Sequence, residues 1–153
     1  SIHMNQDFVS KLTFFNGRQK VLKAVSQYAN ESMQKYLHLL QYGAIVCGDG
    51  RYPIRRNSSH CSFDIIDIKT GKIISLGIVD KLSKYHEDET LEGCSNLLES
   101  EAMKRAIEYL GNHKSKITGV VIDGDNKNSK LLQTEDFHPA IYRNHQLILQ
   151  LLM

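Results

Sequence analysis

The chain is poor in cysteine: Cys47, Cys61 and Cys94 are its three, and no C-x-x-C pair occurs. Three scattered thiols cannot build a disulfide framework or a structural zinc knot, so a reducing, intracellular setting is the expectation. Long apolar runs are missing too. None approaches the roughly 18 residues that cross a bilayer, and the first residues lack a basic stretch followed by an apolar one. Neither a membrane partner nor a secretory signal is therefore expected. An excess of one charge is also lacking. The 19 Lys and Arg face 17 Asp and Glu, a net charge of +2, which neither demands nor excludes a nucleic-acid partner. There is no internal repeat and no low-complexity segment. What is present is an ordinary balance for 153 residues, 41% hydrophobic and 24% charged. That suits one domain with its own core and excludes a wholly disordered chain.

Residues 1–43 read as a loose lead-in of fifteen residues followed by a packing helix. From Asn16-Gly17 onward, Val21, Leu22, Val25, Tyr28, Ala29, Met33, Tyr36, Leu37 and Leu40 recur at three- and four-residue steps, and Gly43 is a plausible stop. Ala44-Ile45-Val46-Cys47 is a short buried strand ending at Gly48-Asp49-Gly50-Arg51. A basic loop over residues 51–58 leads to a second strand at about 59–68. Lys69-Thr70-Gly71-Lys72 is a turn, and a third strand follows at about 73–80, making an antiparallel hairpin. Residues 80–94 are a polar, acidic connection. A second amphipathic helix is predicted over about 95–110, a fourth buried strand over 117–122 and a short helix over 129–132. Residues 133–140 read as a loop, and 146–153 as an apolar stretch. Helix, three strands, helix and strand in this order predict an α/β fold: a mixed sheet flanked by helices, its fourth strand parallel to the first.

Three acidic residues fall where chemistry would need them. Asp49 ends the first buried strand, Asp123 ends the fourth, and Glu99 lies in the opening turns of the helix between them. Ligand sites in open α/β sheets gather at the carboxyl ends of strands. Clustered carboxylates repel one another unless a cation neutralises them, and a hard divalent ion takes oxygen ligands while keeping positions for phosphate and water. Gly48 and Gly50, on either side of Asp49, would let a phosphodiester backbone approach closely. Taken singly, each acid also suits a plain role: a turn for Asp49 or Asp123, a helix N-terminal carboxylate for Glu99. Asp64 and Asp67, within the hairpin, read as structural. Asp123 through Asn128 superficially resembles a calcium loop but lacks the glycine and final glutamate such a loop requires. His138 and His145 have no cysteine near them and read as surface or turn residues.

Further pieces match in order. Asp49-Gly50-Arg51-Tyr52 is followed by the basic, serine-rich Arg55-Arg56-Asn57-Ser58-Ser59. Then come Asp67-Ile68-Lys69-Thr70-Gly71-Lys72-Ile73, a helix start Ser95-Asn96-Leu97-Leu98-Glu99, and Val120-Val121-Ile122-Asp123-Gly124-Asp125. This stretch, Asp49 to Leu132, resembles the RNase H-like catalytic core of DDE transposases and integrases. The resemblance implies an RNase H-like mixed sheet over residues 44–153 and Mg²⁺ (or Mn²⁺) held by Asp49 and Asp123, with Glu99 assisting and Asp125 as the alternative to Asp123. It implies phosphodiester hydrolysis or strand transfer on DNA in the full-length protein, in the nucleus if the source is eukaryotic. Arg51, Arg55, Arg56, Lys127 and Lys130 follow the two aspartates and would contact DNA phosphates, which gives position and salt dependence without sequence choice.

The family's last acidic residue lies on a later helix, whereas Glu135 and Asp136 fall in a loop. The expectation is a transposase fragment, truncated at its C-terminus, or a degenerate derivative. An apolar segment from Leu147 to Met153 would then lack its cover, and homo-oligomerisation could hide it. Two alternatives stay open: a domesticated, catalytically inactive module that binds DNA or protein, and a structure-specific nuclease or resolvase.

Overall fold

The computed structural model describes residues 2–52, 60–80, 95–123, 126–133 and 137–143. The elements in chain order are α1 (Ile2–His38), β1 (Ala44–Arg51), β2 (His60–Asp67), β3 (Lys72–Asp80), α2 (Ser95–Leu110), a 3₁₀ segment (Gly111–Lys116), β4 (Ile117–Ile122), α3 (Asn126–Leu132) and β5 (Ala140–Arg143). The chain divides into two compact units, Ser1–Lys35 and Tyr36–Met153. No described helix is long and apolar enough to cross a membrane.

The first unit is the long part of α1. It starts well before Asn16, so the expected lead-in is helical. A single Gly17 costs a helix only about 1 kcal/mol and does not break it. Of the apolar stripe read along this helix, Val21, Leu22, Val25 and Tyr28 are exposed, while Leu37 and Leu40 are buried.

The second unit is a mixed five-stranded sheet in the order β3-β2-β1-β4-β5. β2 runs antiparallel to both β1 and β3, while β4 is parallel to β1 and β5 parallel to β4. The expected mixed sheet and its parallel first and fourth strands are present. At the β2–β3 turn, Gly71 takes a positive φ of 67°. Asp67 holds that turn: its carboxylate accepts the Lys69 backbone N–H at 3.3 Å and the Thr70 hydroxyl at 3.0 Å.

α2 supplies the core from one face. Leu98, Ala102, Met103, Ala106, Ile107 and Leu110, spaced by helical turns, are all buried. Opposite them lie Phe63 and Ile65 of β2 and Ile74 and Val79 of β3, with Val46, Val120 and Ile122 completing the cluster. Full burial of each large side chain contributes about 1.5–3 kcal/mol. The closest approach is at β3. A Cβ placed on Gly77 would lie 1.8 Å from the Ala102 carbonyl oxygen, and the Ser75 hydroxyl donates to the Ala106 carbonyl. Small residues on both elements let the helix backbone rest on the strand, and the one buried hydroxyl there is satisfied.

Three other elements differ from the sequence reading. β1 continues to Arg51, α3 begins at Asn126, and β5 occupies residues read partly as loop. Substituting Gly77→Ala should push α2 off the sheet. A loss of about 3 kcal/mol in urea unfolding is expected, and a neutral result would show that the contact is slack.

Candidate functional site

β1 and β4 are neighbours because α2 carries the chain across the sheet between them. Their register runs Ile45↔Gly119, Val46↔Val120 and Cys47↔Val121. Asp49 lies two residues beyond Cys47 within β1, and Asp123 directly follows Ile122 at the end of β4, so both stand at the same end of two adjacent parallel strands. Two-residue steps return to the same face of a sheet, so Asp49 projects from the face that carries Cys47. Both aspartates are exposed. Asp49 does not end its strand as expected. β2 continues alongside it, pairing Asp49 with Asp64, Gly50 with Phe63 and Arg51 with Ser62. The plain-turn role for Asp49 is thereby removed.

Glu99 reaches the same strand from the opposite face. It sits in the second turn of α2, half-buried, with its side chain lying against Gly50. A Cβ on Gly50 would be 2.7 Å from its Cγ and Cδ and 2.8 Å from Oε1. The Tyr52 hydroxyl donates to Glu99 Oε2 at 3.2 Å. Burial, chiefly, pushes the Tyr52 hydroxyl well above the usual phenol range, with Cys61 and Glu99 adding to it. Burial likewise pushes the Cys61 thiol up to about 11. Both groups therefore stay protonated at neutral pH, the tyrosine as a donor to the carboxylate.

The two glycines do not open the strand to a ligand as expected. Gly50 makes room for Glu99, and Gly48 makes room for the Phe63 ring, whose Cε1 would be 2.8 Å from an added Cβ. Nor do the three acids form a cage. Glu99 approaches β1 from the face opposite Asp49, and among the described residues no group of three or more His, Cys, Asp or Glu is placed to hold a metal ion. A strand alternates its side chains, so neighbours Asp49 and Gly50 must face opposite ways.

One residue set aside as structural belongs to this site. Asp64 is buried directly opposite Asp49, and Arg51 Nε lies 3.2 Å from its Oδ2. Burial pushes the Asp64 carboxyl above its ordinary value; Arg51 pulls it back and Asp49 adds to the rise. On the same face, burial first and Asp49 second raise the Cys47 thiol. Asp64 alternates with the apolar Cys61, Phe63 and Ile65, and this period-two spacing, which puts it on the face opposite theirs, is the sequence signal for its place. Of the other predicted basic residues, Lys127 and Lys130 fall in α3, and Lys130 is exposed. Arg55, Arg56 and Asp125 lie outside the described residues.

Comparison with protein-family models, with curated proteins and with solved structures gave no match.

The Asp64 shift has a sign that can be measured. The folded chain holds this proton more tightly than the unfolded chain. Its contribution therefore falls as pH climbs from the ordinary carboxylate range through the raised folded value. Urea unfolding between about pH 4 and pH 7 should show that Asp64→Asn loses less stability with rising pH than the parent chain. An unchanged pH slope would contradict the burial of an ionising group here.

Proposed function

We propose that this chain is the RNase H-like catalytic-core portion of a DNA transposase or transposase-derived protein, which works on phosphodiesters with Mg²⁺ or Mn²⁺. The observation that carries the reading is that Asp49 and Asp123 stand at the same end of two adjacent parallel strands, with Glu99 of the crossover helix lying against Gly50 on the other face. The strand order, with an antiparallel β1–β2–β3 meander and β4 returning beside β1, is compatible with an RNase H-like sheet.

The donor set suits a hard divalent ion. Asp49 and Asp123, and Glu99 from the other face, offer carboxylate oxygens at this end of the sheet, and Cys47, two residues from Asp49, has its thiol raised, remains protonated and is a poor soft-metal ligand. Asp49 and Asp123 would hold the ion, with Glu99 steadied by Tyr52 at the strand edge. Bound divalent ions supply charge neutralisation and activate the attacking oxygen in phosphoryl transfer. The protein's own part would be to fix Asp49 and Asp123 at one end of neighbouring strands and to present Arg51, exposed on the face of Asp49, to a phosphate of the substrate.

Thermal unfolding during a Mn²⁺ titration tests this. The parent chain should gain about 2–3 kcal/mol at an ion concentration roughly a hundredfold above the dissociation constant. Asp49→Asn and Asp123→Asn should each abolish the gain. A flat response in the parent chain would favour a module that binds DNA or protein without catalysis. Cleavage assays on linear, hairpin and branched DNA then separate a transposase core from a structure-specific nuclease.

A further inference from the structure

We infer that Asp64 is a positioning residue, whose carboxylate holds the Arg51 guanidinium on the sheet face that carries Asp49, where it meets a nucleic-acid phosphate. The inference rests on the phosphodiester reading above and adds to it the part played by β2.

The register sets the geometry. Asp64 is the Cα partner of Asp49, and Ser62 is the partner of Arg51, so Arg51 and Asp64 are diagonal neighbours across the β1–β2 ladder. Side chains at these positions share one face, and a diagonal separation is within the span of an arginine. The contact is 3.2 Å, from Nε to Oδ2. Its two ends differ sharply: the Arg51 side chain is 65% exposed and that of Asp64 only 9%. The anchor is sunk in the sheet while the cation stands in solvent. A guanidinium carries five N–H donors in a planar fork. Engaging Nε orients the fork and leaves accessible donors for a second anion, in the two-pronged geometry that suits phosphate.

Stability is a poor explanation for such a pair. An ion pair with one end largely in water contributes little, and burying the carboxylate works against it. What the pair does provide is order. A long side chain fixed in advance loses less rotamer freedom when a ligand arrives. Asp64 also competes for this cation with Asp49, which lies two residues from Arg51 on the same strand and face. While Asp64 holds the guanidinium, Asp49 keeps its charge for other partners.

The test is binding of a short fluorescent DNA duplex, followed by anisotropy over a salt series in buffer free of divalent ions. Arg51→Gln should weaken binding and lower the slope of log K against log salt by about 0.9. Asp64→Asn should also weaken it severalfold, although it removes a negative charge that repels DNA, and should have no further effect in the Arg51→Gln background. Arg51→Lys alters only an exposed side chain and serves if Asp64→Asn fails to fold; it should weaken binding while keeping the parent salt slope. The inference is overturned if Asp64→Asn binds as tightly as the parent chain or tighter. It is equally overturned if the effect persists without Arg51, if Arg51→Lys binds as the parent does, or if the parent chain does not bind DNA. Metal does not enter these measurements. A Mn²⁺ shift beside Asp64-insensitive binding would reject the positioning role and leave the metal reading standing, and the converse result would do the opposite.

Discussion

Parallel strands cannot be joined by a tight turn; the chain has to leave the sheet, cross one face and re-enter at the starting end. β1 and β4 impose that requirement here, and α2 is the segment that meets it. The crossover brings Glu99 over Gly50 and returns the chain beside β1, so that Asp123 follows the end of the strand next to the one that bears Asp49. It also buries the side chains that make the core, from Leu98 to Leu110. Folding and the assembly of the acidic site therefore draw on the same geometric demand.

The sheet divides its labour between faces. On the α2 side the β1 positions are glycines, because Phe63 and the Glu99 side chain occupy the volume where a Cβ would be. On the other side the same stretch of β1 bears Cys47, Asp49 and Arg51, and β2 adds Asp64. An alternating run of small and polar residues is what a strand needs when one side is packed tightly and the other carries polar side chains. The glycines beside Asp49 are thus explained by internal packing, and the polar residues by what they face.

Much of the sheet was legible because its signals are local. Gly71 and Asp67 mark the hairpin, the helical spacing from Leu98 to Leu110 marks α2, and the apolar run over residues 117–122 marks β4. The parallel placement of β4 followed from the crossover rule. What could not be read depends on register. Whether β1 stops before Asp49 or runs to Arg51 is decided by its pairing with β2 across a long connection, and composition does not reveal that pairing. For the same reason the sequence identifies Asp49, Glu99 and Asp123 as acids of interest without saying that Glu99 comes from the opposite face. The Arg51–Asp64 contact, a diagonal across two strands, is invisible without that register. β5, with four residues, is too short to announce itself, and α1 extends past a glycine that looked like a beginning.

The separation between Asp49 and Asp123 along the chain also bears on kinetics. The β2–β3 hairpin closes a short loop and can form early, whereas β1 and β4 must find each other across the whole hairpin and the crossover helix. The carboxylate pair is complete only after that slow, long-range step. Any excursion that unzips β4 from β1 dissolves the pair while leaving the hairpin intact.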